Sequence, residues 1–147
     1  MRQVDLKFAI GYELKRAQTT LRAAMDAELR THELSVPQYS CLEHLAQRPD
    51  LSNAALARGL FVSRQATHQL LAGMRDAGLV TSTGSGRSER FALTARGRAR
   101  LSDASAAVAT IEERMLSSLD TERRSRLHAD LIACTRSLQP DKPAETT

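Results

Sequence analysis

The run VSRQATHQ, residues 62–69, gathers Arg64, Gln65, His68 and Gln69 between two apolar stretches. Their chemistry is directional hydrogen bonding. A guanidinium is a planar fork of donors, a carboxamide sets a donor beside an acceptor, and an imidazole offers one of each. At helical spacing Arg64, Gln65, His68, Gln69 and Ala72 share one side, while Thr67, Leu70, Leu71, Met74 and Ala77 share the other. Taken alone, the polar side is equally a solvated helix face. As a reading face it has matched targets: arginine pairs bidentately with guanine, glutamine with adenine, and the Ala66 methyl can touch the methyl of thymine. Ser63 can cap this helix, and helix N-termini favour phosphate oxygens.

The residues after this run favour the second reading. Gly78 is a natural helix stop, and LVTSTGSGRSERFALT loses the helical period. Val80, Thr81 and Thr83 suit a strand, GSG a turn, and Phe91 and Leu93 a return strand. The tip of this hairpin carries Gly84, Gly86, Arg87 and Arg90. A flexible basic loop after such a helix is a wing that can place arginine in a narrow minor groove. From residue 58 to residue 100 there are eight arginines against Asp76 and Glu89, a balance of +6 in a chain of net charge +4, so the remainder is −2. Positive charge confined to one segment points to a localised polyanion, here double-stranded DNA.

The rest of the composition excludes more than it suggests. Hydrophobic residues make up 41% and aromatic residues 3%, so the core must be built from Leu, Ala, Val and Met, which favours helices. Cys41 and Cys134 have neither disulfide-framework nor metal-ligand spacing, and no metal or other cofactor is expected. GSG lacks the Lys-Ser/Thr of a phosphate loop, and GxSxG, HExxH and CxxC do not occur, so no catalytic residues are assigned. With no long apolar run and no signal-like N-terminus, the expectation is a cytoplasmic protein without a membrane partner.

Around the basic segment the periodicity predicts five further helical stretches. Leu6, Ile10, Leu14, Ala17, Leu21, Ala24 and Met25 put one long helix over residues 4–31. Ser35 with Gln38 forms a capping box for a second helix from residue 36, which RPDLS breaks. Ser52 can cap a short third helix, NAALARGL, and only Leu60, Phe61 and Val62 separate it from the reading helix, a helix-turn-helix pattern. Thr94 opens a long helix to about Leu119, and Asp120 can cap a last one with Leu127, Leu131, Cys134 and Leu138. Gly73 inside the reading helix costs up to about 1 kcal/mol relative to alanine, which close packing against a neighbour would explain.

The stretch LARGLFVSRQATHQLLAGMRDAGLV, with a hairpin after it ending in FALTARG, resembles the winged helix-turn-helix of the MarR family of transcriptional regulators. The order of the flanking helices matches as well, over about residues 5–138. The fold expected is mainly α with a small β-hairpin wing. It is a single domain over residues 1–147, with a winged helix-turn-helix at 36–93, dimerisation helices at 4–31 and 95–138, and a disordered tail at 139–147. The resemblance implies a homodimer whose terminal helices interlock, a repressor that binds a pseudo-palindromic operator, and release by a small-molecule effector, aromatic or phenolic. The DNA contacts it selects are Ser63, Arg64, Gln65, Ala66, His68 and Gln69 in the major groove, with Arg87 and Arg90 in the wing. His32, Tyr39 and Glu43 fall where the family's effector pocket is expected. Two departures stand out: Phe61 occupies a turn position usually held by a small residue, and Ser85 stands where the family's wing carries an acid two residues before its arginine.

The sequence leaves two alternatives open. Cys41 could make the chain a thiol-based redox sensor, provided nearby positive charge lowers its pKa. The fold could also be a dimeric protein-interaction module that has lost DNA binding, against which the charge balance of residues 58–100 argues.

Overall fold

The computed structural model describes residues 3–140, so the tail expected at 139–147 lies, from 141 onward, outside the described residues. By their contacts these residues form two compact units, one up to Ile111 and one from Glu112.

In the first unit, α1 spans Ile10–Thr31. The helix expected from residue 4 therefore starts six residues late. The Asp5 carboxylate accepts the Lys7 backbone N–H at 3.0 Å, and Phe8 N–H donates to the Asp5 carbonyl. This local turn competes with the first helical turn, and Ala9 has no side chain with which to cap it. The next helix, α2 (Val36–Gln47), opens on the expected capping box, Ser35 with Gln38. Ser52 caps α3 (Asn53–Leu60), and Ser63 caps α4 (Arg64–Asp76). Strands β1 (Val80–Thr83) and β2 (Arg90–Leu93) pair antiparallel, Val80 opposite Leu93 and Thr83 opposite Arg90. Helix α5 runs over Ala95–Met115.

RPDLS does more than end α2. Phe91 N–H donates to the Leu51 carbonyl at 3.1 Å, adding a one-residue bridge to the hairpin edge. That bridge fastens the wing to the segment leading into α3. Beneath it lies one core: Leu29, Leu42, Leu56, Leu71, Met74, Leu79, Val80, Phe91, Leu93 and Leu101 are all buried.

The segment LTARG, residues 93–97, ties the hairpin to the start of α5. Thr94 donates its hydroxyl to the Gly78 carbonyl at 2.6 Å and accepts the Gly97 N–H at 3.0 Å. A Cβ at Gly97 would sit 2.1 Å from the Leu79 carbonyl oxygen, so α5 can pack against the start of the hairpin only with glycine there. Gly73 behaves otherwise: nothing lies within 4 Å of its would-be Cβ, and the close packing expected for it is absent.

In the second unit, α5 ends at Met115 rather than near Leu119, and a turn leads to α6 (Thr121–Leu138), capped by Asp120. Arg124 fixes that turn. It pairs bidentately with Glu113 at 2.8 and 2.9 Å and donates to the Leu116 and Leu119 carbonyls. The hydrogen bonds from Arg124, and its charge, hold the Glu113 carboxyl below its ordinary range. No helix among the described residues is long and apolar enough to cross a membrane.

Candidate nucleic-acid interface

Helix α4 is two-faced, as its sequence predicts. Thr67, Leu71 and Met74 are buried, Leu70 is half-buried, and Arg64, Gln65, Ala66, His68 and Gln69 are exposed. Two residues depart from that division: Ala77 is exposed and Ala72 half-buried. The Ser63 hydroxyl accepts the Ala66 N–H at 3.0 Å, and the buried Thr67 hydroxyl donates to the Ser63 carbonyl at 2.9 Å. The first turn is thus fixed from both sides, while its outward side chains stay free to meet a partner.

The turn before α4 is a Schellman motif. Val62 N–H donates to the Ala57 carbonyl and Phe61 N–H to the Arg58 carbonyl. The motif requires a left-handed residue, usually glycine, and here Phe61 adopts it at φ 56° and ψ 39°. For a residue with a Cβ that conformation costs roughly 1–2 kcal/mol. The ring makes no compensating core contact and is 89% exposed.

The wing tip is ordered by its own backbone. Gly84 and Gly86 both have positive φ, and a Cβ on Gly84 would meet the Ser88 carbonyl oxygen at 2.8 Å. Residues Gly86–Ser88 form a 3-10 turn, and the Ser88 hydroxyl donates to the Ser85 carbonyl at 2.8 Å. No acid holds Arg87, which is exposed and has no ion pair among the described residues. Arg90 differs: its guanidinium donates to the Arg87 and Glu89 carbonyls at 2.9 and 3.0 Å, so it braces the tip from below. Arg75 ties the wing back to α4 through Glu89 at 3.0 Å and the Ser82 hydroxyl at 2.8 Å.

A groove of about 560 Å³ brings Arg64, Arg87 and Arg90 together with Ser52, Asn53, Ala54 and Gly86. Sequence reasoning places Gly86 at the wing tip but does not assign Ser52, Asn53 or Ala54 to the site. Ser52 is legible as a helix cap, but its place beside the wing depends on the Leu51–Phe91 bridge, which has no local signal. The groove joins three cations to the first turn of α3, a setting suited to phosphate oxygens. Gln65, Ala66, His68 and Gln69 lie outside its lining, on the outward face of α4.

The three expected effector residues are only partly brought together. Tyr39 donates to Glu43 at 2.8 Å, and Ser105 of α5 donates to the same carboxylate oxygen at 2.5 Å. Burial pushes the Glu43 carboxyl up, but the bonds from Ser105, Tyr39 and Gln47, with His44 nearby, outweigh it and leave the group below its ordinary range. His32 is half-buried with its ring 3.9 Å from Glu28. A cavity of about 240 Å³ at the end of α1 is lined by Asp26, Arg30, Glu33, Leu34 and Ser35, and by none of the three.

Cys41 is fully buried, and burial pushes its thiol up to about 12, the opposite of what a reactive thiolate requires. The redox alternative therefore loses its physical basis.

A family model described as "MarR family" matches residues 32–90. The HTH-type transcriptional repressor Rv2887 of Mycobacterium tuberculosis is 42% identical over 113 residues, covering 75% of this chain and 81% of the relative. A crystal structure of the M. tuberculosis MarR family protein Rv2887 in complex with DNA has a TM-score of 0.71 at 35% identity, covering 86% of this chain and 97% of that one. The complex of Rv2887 with salicylic acid gives a TM-score of 0.69 at 36% identity, covering 86% and 96%.

Proposed function

The chain belongs to the MarR family, and from that membership we propose that it is a homodimeric transcriptional repressor which binds a pseudo-palindromic operator and releases it when an aromatic or phenolic small molecule binds. It is a regulator and not an enzyme. One observation carries the DNA-binding reading: Arg64 at the start of α4, Arg87 and Arg90 of the wing and the start of α3 line one groove, and the α4 side chains that follow Arg64 on its outward face are exposed. Arg64, Gln65, Ala66, His68 and Gln69 enter the major groove behind the Ser63 cap, which also presents its N-terminus to the backbone. Arg87 reaches the adjacent minor groove or its phosphates. Arg90 acts chiefly by holding the wing in shape.

A second copy supplies the second reader, because an operator of two half-sites about one helical turn apart matches a two-fold dimer. Such a protein works in the cytoplasm, where its DNA is. The effector reading is supported by the salicylic acid complex of Rv2887. His32, Tyr39 and Glu43 are its proposed contacts, and an incoming phenol or carboxylate must compete with the bonds from Tyr39 and Ser105 to Glu43.

The test is a gel-shift titration against the DNA upstream of the protein's own gene, at low and physiological salt with competitor DNA. Tight, salt-sensitive binding that survives competitor and is reversed by millimolar salicylate is the expected result. Binding that competitor abolishes at every salt concentration, on this and on genome-selected DNA, would overturn it.

A further inference from the structure

Phe61 combines three features with no benefit to the free protein. Its backbone holds the left-handed conformation that glycine adopts without strain. Its ring is 89% exposed and the adjacent Val62 41% exposed. It lies between Arg58 and Arg64, both exposed and both without an ion pair among the described residues. A backbone outlier that costs stability, under a ring that gains no burial on folding, points to a partner that covers the ring.

We propose that the Phe61 ring is a DNA contact, packing on the deoxyribose of the strand that flanks the major groove, with Arg58 on its neighbouring phosphates and Arg64 turned into the groove beside it. The inference rests on the DNA-binding reading above. In a helix-turn-helix the recognition helix enters the groove by its N-terminus, while the helix before it crosses the backbone. The turn joining them then lies at the groove edge, where the nearest apolar surface is sugar. The charge on either side of the ring suits a polyanion and disfavours an apolar protein partner. The same strain explains why the Schellman position lacks glycine: glycine would improve the turn and lose the contact.

Unfolding midpoint and operator affinity, measured together, test this. Phe61→Gly and Phe61→Asn both fit the left-handed turn and are expected to fold at least as stably as wild type. Each should raise the operator Kd about tenfold with the salt dependence unchanged, because an apolar contact releases no counterions. Phe61→Tyr, which keeps the ring, should bind like wild type. Arg58→Ala should lower the salt slope. The proposal is overturned if Phe61→Gly binds as tightly as wild type. It is equally overturned if Phe61→Tyr is as weak as Phe61→Gly, since turn flexibility would then be the cause, or if Phe61→Gly changes only the sedimentation coefficient, since the ring would then cover a protein interface. Failure of wild type itself to bind any operator would instead overturn the DNA-binding reading, and this inference with it.

Discussion

A methyl group added at Gly97 and one added at Gly73 should have opposite effects. At Gly97 the new Cβ would lie 2.1 Å from the Leu79 carbonyl oxygen, a backbone atom that cannot move aside cheaply. Gly97→Ala is therefore expected to lose about 1–3 kcal/mol, as overpacking does. At Gly73 the space is open and the site exposed, so Gly73→Ala should gain up to about 1 kcal/mol from helix propensity. Urea unfolding of the two variants checks both signs. Sequence alone cannot tell these glycines apart in this way, because what distinguishes them is the carbonyl of a residue far along the chain from Gly97. Local signals are legible: the serine and aspartate caps, the capping box and the polar face of α4 all come from spacing alone. Arg87 and Arg90 show the same limit, since which one is free and which one braces the wing depends on where the backbone carbonyls lie. Arg87→Ala should weaken binding to every sequence and reduce the salt slope by about 1.

Periodicity places the interiors of the elements well and their ends poorly. It misses the start of α1 because Asp5 satisfies the Lys7 N–H locally, and the end of α5 because Arg124 reaches back to the Leu116 and Leu119 carbonyls. Ties between elements are invisible to it for the same reason. One joins the wing to α4 through Arg75 and Glu89. Removing the Glu89 charge would, by simple electrostatics, favour DNA. If the tie positions the wing, however, Glu89→Gln should weaken operator binding, and the sign of the change in Kd decides between the two. A second tie joins α2 to α5 through Glu43 and Ser105. The folded-state pKa of Glu43 is lowered from 4.5, so its contribution is present above about pH 4.5 and fades as pH falls through the depressed value. The stability gap between wild type and Glu43→Gln should therefore be widest near neutral pH and narrow as the pH falls below the ordinary carboxylate range, as read by chemical unfolding on acidification.

At the scale of the whole molecule, each unit leaves apolar side chains in solvent. In the first, Phe8 is 76% and Ile10 74% exposed, with Val4, Leu6 and Leu14 beside them in sequence; in the second, Leu127, Leu131, Ile132 and Leu138 are exposed along α6. Isolated exposed leucines are ordinary, but runs along both terminal segments support the proposal that a second copy covers them. The helical period predicts that face, whereas its state in the monomer is visible only once the core is seen to form without it. Dimerisation has a consequence that a supporting role for these helices lacks. A dimer engages two half-sites, and the second engagement is intramolecular, so operator affinity depends on the oligomer as well as on the reading face. Phe8→Glu combined with Ile10→Glu places carboxylates in the proposed interface while leaving α4 and the wing untouched. Sedimentation should show a folded monomer with an unchanged far-UV spectrum. Heparin retention should persist, since the basic surface is intact, while operator affinity should fall by about 100-fold or more. A variant that stays dimeric would place the interface elsewhere on the chain. A folded monomer that binds the operator as tightly as wild type would mean that one subunit suffices, and the two-half-site reading would fall with it.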